Sequence, residues 1–316
     1  MSEGRPLRLG TRPSRLARWQ AEWVRRKLLA RDQPAELVEI STTGDEVPEI
    51  PLSRLEGSDL FTRQIDQALL QGSVDLAVHS LKDLPTTLPD GIRIAAVSAR
   101  EDPRDALIGR GPLEWSAIPP GGVVATCSLR RRAQLLRSRP DLTVTDIRGN
   151  IETRLAKLDA NPEWCATILA VAGLERLGLT SRIGERLEPG LMLPAPGQGA
   201  LAVTVRADDL ATARTAHASV HHAETACCVT AERALLHHLE SGCHVPVAAL
   251  AVSRGPHQLE LAARVLSLDG QECVEASVVA PVRSDAEAAG LGVALADRLL
   301  AMGADQLLGS VRSREL

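Results

Sequence analysis

Aromatic side chains and lysines are scarce in this chain of 316 residues. It has no tyrosine and one phenylalanine, and only Lys27, Lys82 and Lys157 are lysines, which leaves 33 of the 36 basic residues as arginine. Single-stranded nucleic acids are usually bound by stacking on aromatic rings, so this scarcity argues against such a partner. The net charge of -4 argues further against attraction to nucleic acid or to an anionic membrane.

Long apolar runs are also absent. The first ten residues contain no hydrophobic segment, and no window approaches ~20 uninterrupted apolar residues. We therefore expect neither a signal peptide nor a membrane-spanning helix, and we expect a cytoplasmic protein. Thiols are kept reduced in the cytoplasm, so an even number of cysteines does not indicate disulfides. The six cysteines are Cys127, Cys165, Cys227, Cys228, Cys243 and Cys273.

Short apolar strands alternate with helical segments over the first two thirds of the chain. Strands are predicted over residues 6–10, 37–41, 74–78, 92–97, 122–126, 142–147, 166–171 and 200–205. Helices between such strands indicate an α/β fold with two doubly wound, parallel sheets. The charged segment 100–105 and the turn-rich segment 194–199 are suited to the crossings between the two sheets.

The pattern changes in the last third of the chain. We predict one helix over 217–240, a break over 241–246, strands over 247–254, 259–268 and 272–280, and a closing helix over 284–308. The pair Asp269-Gly270 is a strong hairpin turn signal between the last two strands. These elements predict a small α+β C-terminal domain. The expected domains are 1–98 with 199–217, then 99–198, then 218–316.

Polar residues follow the apolar strand in the segment VDLAVHSLKDLP, residues 74–85. Ligands of open α/β sheets bind at the carboxyl ends of the strands, where this strand carries His79, Ser80, Lys82 and Asp83. A solvated turn is the alternative interpretation from this segment alone. The segment therefore marks a candidate site that other residues must support.

Arginines recur at or just after the predicted strand ends. Guanidinium groups bind carboxylates and phosphates in a bidentate way, and helix N-termini add partial positive charge. The spacing indicates a ligand with several carboxylates, although solvated helix faces remain the alternative. The residues are Arg12, Arg130, Arg131, Arg148, Arg154 and Arg176.

Asp83 is out of place in a site built for anions. Among basic groups it stays ionised, so it favours a ligand that also carries positive charge or N–H donors. At ~4 Å and an effective dielectric of about 20, a cation beside it gains about 4 kcal/mol. We therefore expect Asp83 to stabilise a developing cation, with proton transfer as a linked role.

Cysteines, histidines and one lysine offer three further chemistries. Cys243 lies in a break beside Gly242, where a reactive thiol and a structural cysteine both remain open. The histidines and cysteines of residues 221–244 have no zinc-finger spacing, so no metal is expected. Lys82 as a pyridoxal-phosphate lysine has no supporting motif.

Nine motifs in order make the chain similar to the hydroxymethylbilane synthase family, also called porphobilinogen deaminase. They run through nearly the whole chain. The motifs are TRPSRLA from Thr11, DLAVHSLKDLP from Asp75, REDPRDAL from Arg100, SLRR from Ser128, RGNIETRL from Arg148, LAVAGLERLGL from Leu169, LPAPGQGAL from Leu193, HHAETACCVTAERALL from His221 and SGCHVP from Ser241.

This resemblance implies two domains like periplasmic anion-binding proteins and a third with a cysteine loop. It implies a transferase of tetrapyrrole (haem, porphyrin) biosynthesis that joins four porphobilinogens head to tail, releasing ammonia at each addition, and then hydrolyses off the linear tetrapyrrole. A dipyrromethane cofactor on Cys243, bound through a thioether, would prime the chain. Asp83 matches the family's catalytic aspartate, which pairs with pyrrole nitrogens while deamination yields a cationic azafulvene.

The resemblance also assigns the groups that bind the pyrrole acetates and propionates. It implies cofactor contacts at Lys82, Thr126, Ser128, Arg130 and Arg131. It implies substrate contacts at Arg12, Ser14, Ser80, Arg148, Arg154 and Arg176. Porphobilinogen is then the expected partner, with no nucleic acid and no membrane, and the chain is expected to be a monomer.

Departures from the family pattern fall in two loops and beside Ser128. The loop expected before the second helix reads Gly57-Ser58-Asp59-Leu60-Phe61, where a Gly-Lys-Gly-Leu-Phe type sequence is common in the family, and Arg54 and Arg63 could compensate for the acid. Ser241 and Cys127 replace a glycine and a small residue. Two rival functions are a non-catalytic two-domain anion-binding module, which stays open, and a nucleic-acid-binding regulator, which the net charge and the scarcity of aromatic residues disfavour.

Overall fold

The computed structural model describes residues 5–42, 62–239 and 246–312. A short 3-10 turn, Leu81–Asp83, follows the third strand. The elements in chain order are β1 (Leu7–Thr11), α1 (Arg15–Leu29), β2 (Ala35–Glu39), α2 (Arg63–Leu70), β3 (Leu76–Ser80), β4 (Ile92–Val97), β5 (Asp105–Ile108), β6 (Val123–Ala125), α3 (Leu129–Ser138), β7 (Thr143–Thr145), α4 (Ile151–Ala160), β8 (Trp164–Ala170), α5 (Val171–Arg176), β9 (Glu185–Leu187), β10 (Leu201–Arg206), α6 (Leu210–Val220), α7 (Ala223–His238), β11 (Val247–Gly255), β12 (Gln258–Leu266), β13 (Cys273–Pro281), α8 (Asp285–Ala301) and α9 (Ala304–Arg312).

The chain divides into two compact units, and the first contains Met1–Glu101 and Ala200–Ala226. Its sheet has the order β2-β1-β3-β10-β4, with β1 parallel to β2 and β3. The strand β10 is antiparallel to both of its neighbours, so the expectation of an all-parallel sheet is wrong there. Because β10 enters from the crossing after residue 199, no crossover helix fixes its direction.

The second unit, Asp102–Gly199 and Cys227–Leu316, contains two sheets. The first has the order β7-β6-β8-β5-β9, with β6 parallel to β7 and β8. The strand β5 is antiparallel to β8 and β9. The sequence pattern does not predict β5 or β9, because β5 begins inside the charged run at Asp105 and β9 has three residues. The two doubly wound α/β sheets are otherwise confirmed.

The C-terminal part of the second unit is the predicted small α+β domain. Its antiparallel sheet, β11-β12-β13, packs with α7, α8 and α9 through a core that includes Leu235, Leu261 and Leu299. The predicted hairpin turn is confirmed, because the Gly270 N–H donates to the Ser267 carbonyl at 3.0 Å. A Cβ on Gly270 would lie 2.3 Å from the Ala133 carbonyl oxygen of α3, so the hairpin tip packs directly on that helix.

Two predicted helices are each broken into two. The segment 217–240 contains the end of α6 and then α7, separated because the His222 N–H donates to the Val97 carbonyl at 2.8 Å instead of continuing α6. The segment 284–308 contains α8 and the start of α9, separated at Gly303, which has φ of +99°. None of the described helices has the length and apolar character needed to cross a membrane.

Candidate functional site

The residues after β3 are held at the carboxyl end of the strand by a buried anchor. Leu81 is buried, and its N–H donates to the Ala200 carbonyl at 3.0 Å. The Leu84 N–H closes the 3-10 turn on the Leu81 carbonyl at 3.2 Å, and Pro85 follows. This geometry leaves Lys82 half-buried and Asp83 exposed to solvent at the end of the strand.

A cavity at the end of β3 brings four predicted site residues together, all in the first unit. Arg12, Ser14, Ser80 and Asp83 line it. Its other lining residues are Leu16, Ala17, Gln20, Thr62, Val78 and His79. Asp83 therefore shares one cavity with a cation and with hydroxyl groups.

The cavity hydroxyls are oriented by donors from α1. Ser14 caps that helix, because its Oγ accepts the Ala17 N–H at 3.3 Å. The Ser80 Oγ accepts from Gln20 Nε2 at 2.8 Å. A hydroxyl that accepts one hydrogen bond still has its own proton to donate. Both serines are therefore poised to donate to an anionic ligand.

Gln20 is a residue of this cavity that the sequence motifs do not indicate. It is 3% exposed and lies on the buried face of α1. The sequence signal that could have identified Gln20 is its position four residues after Leu16, because residues at i and i+4 lie on the same face of a helix. A polar residue on an otherwise apolar face needs a buried partner, and here that partner is Ser80.

His79 is the buried neutral member of the same cavity. Desolvation, and to a smaller extent the charge of Arg12, lower the pKa of His79 to about 4. Its Nε2 lies 3.2 Å from Thr204 Oγ1 of β10. Because His79 is uncharged near neutral pH, the formal charges among the described lining residues are those of Arg12 and Asp83.

In the second unit, Arg130 and Arg131 meet at one buried carboxylate. An Nη of each donates to Asp105 at 2.8 Å, to Oδ2 from Arg130 and to Oδ1 from Arg131. The other Nη of Arg130 donates to the Leu193 carbonyl at 2.7 Å, and that of Arg131 to the Ile168 carbonyl at 2.9 Å. Both arginines come from the first turn of α3 and are buried.

Asp105 is fully buried. From the sequence it belongs to the charged segment 100–105, which predicts a crossing between the two sheets and no binding site. Burial alone would raise its pKa, but the charges of Arg130 and Arg131 hold the pKa of Asp105 well below its usual range. Gln198 Nε2 also donates to Asp105 Oδ1, at 2.9 Å. The Nε of Arg131 is buried and has no hydrogen-bond partner in the described part of the chain.

The other predicted residues of the second unit occupy loops and helix ends after strands. Ser128 caps α3 by accepting the Arg131 N–H at 3.4 Å, and Thr126 Oγ1 accepts the Ser128 N–H at 3.2 Å. Arg154 Nε donates to the Gly149 carbonyl at 2.7 Å. Arg176 is buried at the end of α5 and donates to the Gly199 carbonyl at 2.9 Å.

Arg148 is half-buried in the loop between β7 and α4. Arg176 donates to the carbonyl of Gly199, at the end of the predicted crossing 194–199, and Arg130 donates to the carbonyl of Leu193, directly before it. Cys243, Asp59 and Arg54 lie outside the described residues. Over the described ranges, no three side chains of the metal-ligating types cluster as a metal site would require.

The fold and these side chains define an α/β protein whose strand ends carry arginine, serine and aspartate side chains. A family model described as "Porphobilinogen deaminase, dipyromethane cofactor binding domain" matches residues 7–214. A second, "Porphobilinogen deaminase, C-terminal domain", matches residues 226–301. The chain belongs to the porphobilinogen deaminase family, so the predicted membership and the predicted dipyrromethane cofactor are confirmed.

Curated relatives extend over nearly the whole chain. Porphobilinogen deaminase of Pelobacter propionicus is 45% identical over 314 residues, covering 99% of each chain. That of Desulforudis audaxviator is 49% identical over 315 residues, covering 98% of this chain and 99% of its own. That of Geobacter sulfurreducens is 46% identical over 312 residues, covering 98% and 96%.

Solved structures of binding proteins show only a distant likeness. The methionine-binding protein MetQ aligns with 67% of this chain and 89% of its own at a TM-score of 0.43 and 10% identity. A periplasmic substrate-binding protein from Coxiella burnetii aligns with 68% and 92% at 0.43 and 13%. The sheet orders, and not this likeness, define the fold described above.

Proposed function

We propose that the chain is a hydroxymethylbilane synthase. It would condense four porphobilinogens head to tail on a cysteine-linked dipyrromethane primer, with loss of ammonia at each step, and would then release the linear tetrapyrrole by hydrolysis. The observation that carries the proposal is the cavity at the end of β3, where Asp83 stands beside Arg12, Ser14 and Ser80. Family membership makes this chemistry the one to test.

The residues present fit the dipyrromethane group. Its carboxylates need buried cationic donors, and Arg131 Nε is a buried donor without a partner in the described residues. The Ser128 Oγ accepts the Arg131 N–H and still has its own proton to donate. We assign Lys82, Thr126, Ser128, Arg130 and Arg131 to hold the group, and Cys243 to attach it. When bound, the group supplies the nucleophilic pyrrole carbon to which substrate is added.

The side chains of the first unit bind and activate the substrate. Arg12, Ser14 and Ser80 donate to the carboxylates of porphobilinogen, and in the second unit Arg148, Arg154 and Arg176 extend the set of cations as the product lengthens. Asp83 accepts from the pyrrole N–H and stabilises the cation that develops on the substrate as ammonia leaves. A carboxylate ~4 Å from that cation contributes about 4 kcal/mol at an effective dielectric of 20.

Domain limits, assembly and compartment complete the proposal. We propose domains at 1–98 with 199–217, at 99–198 and at 218–316, and a monomer that acts on porphobilinogen in the cytoplasm without nucleic acid or membrane. The reducing compartment agrees with the described cysteines, none of which is in a disulfide: Cys127, Cys165, Cys227, Cys228 and Cys273. Analytical ultracentrifugation of the purified chain tests whether it is a monomer.

Intact mass and turnover, measured on three purified proteins, test the function. The wild type should carry extra mass equal to a dipyrromethane and should consume porphobilinogen. Cys243→Ser should lack that mass. Asp83→Asn keeps the shape of the side chain but removes its charge, so it should keep the mass and lose at least ~100-fold in rate, which corresponds to about 3 kcal/mol.

If the chain were a non-catalytic anion-binding module, this experiment would give a different result. Such a module requires neither Asp83 nor Cys243, so it predicts an unmodified wild type that consumes no porphobilinogen. A wild type that is active without the added mass would also contradict the proposal. Near-normal turnover by Asp83→Asn would remove the role assigned to its charge.

A further inference from the structure

Asp105 connects the two arginines assigned to the cofactor with the crossing segment 194–199. Its carboxylate receives one Nη of Arg130, one Nη of Arg131 and the Nε2 of Gln198, at 2.8, 2.8 and 2.9 Å. The Gln198 amide also donates to the Pro103 carbonyl at 2.7 Å. Asp105 has 0% exposure and opens β5, so its position is fixed by the sheet.

Each guanidinium group is held at two points. Arg130 is bound by Asp105 and the Leu193 carbonyl, and Arg131 by Asp105 and the Ile168 carbonyl. Two hydrogen bonds from different nitrogens fix the plane of a guanidinium group, whose donors form a rigid fork. The orientation of both groups is therefore set before any ligand arrives.

One nitrogen donor of the two guanidinium groups has no hydrogen-bond partner in the described residues. Arg131 Nε is buried and has no partner in the described part of the chain, although buried polar groups are nearly always hydrogen-bonded. The cluster of two guanidinium groups and one carboxylate also keeps a net charge of +1. An unsatisfied donor in a buried cationic cluster is suited to a carboxylate of the ligand.

We propose that Asp105 is a positioning residue for the cofactor: it orients Arg130 and Arg131 so that Arg131 Nε is presented to a carboxylate of the dipyrromethane group. Asp105 accepts from both arginines and does not touch the ligand. This inference rests on the proposed function. It assigns a role to a residue that lies outside the set implied by the motifs.

The first unit offers a matched control for a purely structural effect. Asp75 is also a buried aspartate with two arginine partners, since it accepts from Arg5 and Arg8 at 2.9 Å each. It directly precedes β3, so the length of a five-residue strand, ~16 Å, separates it from the cavity end. Asp75→Asn should lower stability as Asp105→Asn does, without moving any readout of cofactor binding.

The experiment titrates porphobilinogen into the cofactor-free forms of the wild type, Asp105→Asn and Asp75→Asn. Intact mass gives the loaded fraction, and thermal unfolding gives the gain in Tm on loading, since a ligand bound to the folded state raises stability. For Asp105→Asn we expect the porphobilinogen concentration at half-loading to rise about tenfold or more, because the effect is that of losing one charge-assisted hydrogen bond. Most of the Tm gain on loading should also disappear.

The outcomes separate this inference from the proposed function. If the wild type takes up no added mass, the proposed function fails. A second outcome is that the wild type takes up the added mass and that Asp105→Asn matches Asp75→Asn in half-loading concentration and in Tm gain. In that case only the role of Asp105 is overturned. If Asp105→Asn does not fold, Gln198→Met removes one donor to Asp105 without exposing a charge. In Gln198→Met the half-loading concentration should rise and the Tm gain should fall, each by less than in Asp105→Asn. If both quantities equal those of the wild type, the proposal is overturned.

Discussion

Asp83 and Gln20 show how much single residues reveal before a structure is known. Asp83 was found from sequence because an acid directly after an apolar strand, in a chain with arginines at its other strand ends, is chemically unusual. Gln20 was missed because the helical spacing of its apolar neighbours dominated the pattern. Its partner, Ser80, is 60 residues away, and no local pattern carries that pairing.

Asp105 was missed for a different reason. A run of six residues that contains five charges predicts a solvated segment, and burial of one of those charges depends on partners from other elements. Those partners, Arg130 and Arg131, lie 25 and 26 residues further along the chain. Burying a carboxylate without them would cost several kcal/mol, so the position is intelligible only with the partners in place.

Gln20 is expected to act on substrate binding through Ser80. In Gln20→Leu the Ser80 hydroxyl loses its donor and is free to rotate, so its proton no longer points to the ligand. We expect KM for porphobilinogen to rise about 2- to 10-fold, the equivalent of one hydrogen bond, with little change in kcat. Steady-state kinetics with Gln20→Leu, Ser80→Ala and the double variant measure the effect.

The double variant provides the control for that prediction. If Gln20 acts through Ser80, the substitution at position 20 adds nothing once Ser80 is alanine. Independent, additive effects of the two substitutions would contradict the positioning role and would indicate separate contacts.

At the scale of elements, strand positions were predicted better than helix lengths. The apolar runs that became β3, β4 and β10 each end at or directly before a polar residue in the sequence. The division between α6 and α7 was not predictable, because it depends on a backbone hydrogen bond from His222 to Val97 of another strand. Helical periodicity continues across that point and gives no local stop signal.

Two serine caps allow the local and the binding roles of Ser128 to be separated. Ser128 caps α3 and Ser284 caps α8, each by accepting an N–H three residues on, at 3.4 and 3.2 Å. Ser128→Ala and Ser284→Ala should each lower the free energy of unfolding by about 1 kcal/mol. Only Ser128→Ala should also reduce loading with the dipyrromethane group, because its hydroxyl proton is assigned to a carboxylate.

Urea denaturation and intact mass of both variants check this prediction. Equal loss of stability with unchanged loading in both would show that Ser128 is a helix cap alone. Impaired loading in Ser284→Ala would trace the effect to general destabilisation.

For the whole molecule, the three sheets were predictable from sequence and their strand directions were not. Alternation of apolar strands and helices indicated two doubly wound sheets, and the hairpin signal indicated the third. The antiparallel strands β5 and β10 depend on how the chain returns between units, which local propensity does not determine. The contact of Gly270 with α3 likewise depends on tertiary packing.

The stability of the molecule should depend on pH through His79. Its pKa is about 4 in the folded chain against 6.5 for the ordinary group, so the unfolded chain binds the extra proton between these values. The stabilisation is complete above pH 6.5 and is lost as pH falls from 6.5 towards 4, by about 3 kcal/mol in total. In His79→Gln this part of the pH dependence should disappear.

Urea denaturation between pH 4 and pH 7 measures the difference. His257→Asn is the control, because His257 is exposed and has φ of +58°, a conformation that asparagine tolerates. It should follow the wild-type curve. Parallel curves for the wild type and His79→Gln would show that protonation of His79 does not limit stability in this range.

The place of β10 in the first sheet has a consequence for synthesis on the ribosome. This strand lies between β3 and β4, yet it follows β4 by about 100 residues of the second unit. At ~5–20 residues per second, translation takes roughly 5–20 s to supply it after β4 has emerged. During that time the edges of β3 and β4 that β10 will cover are unpaired, so the nascent chain offers them to chaperones and to neighbouring nascent chains.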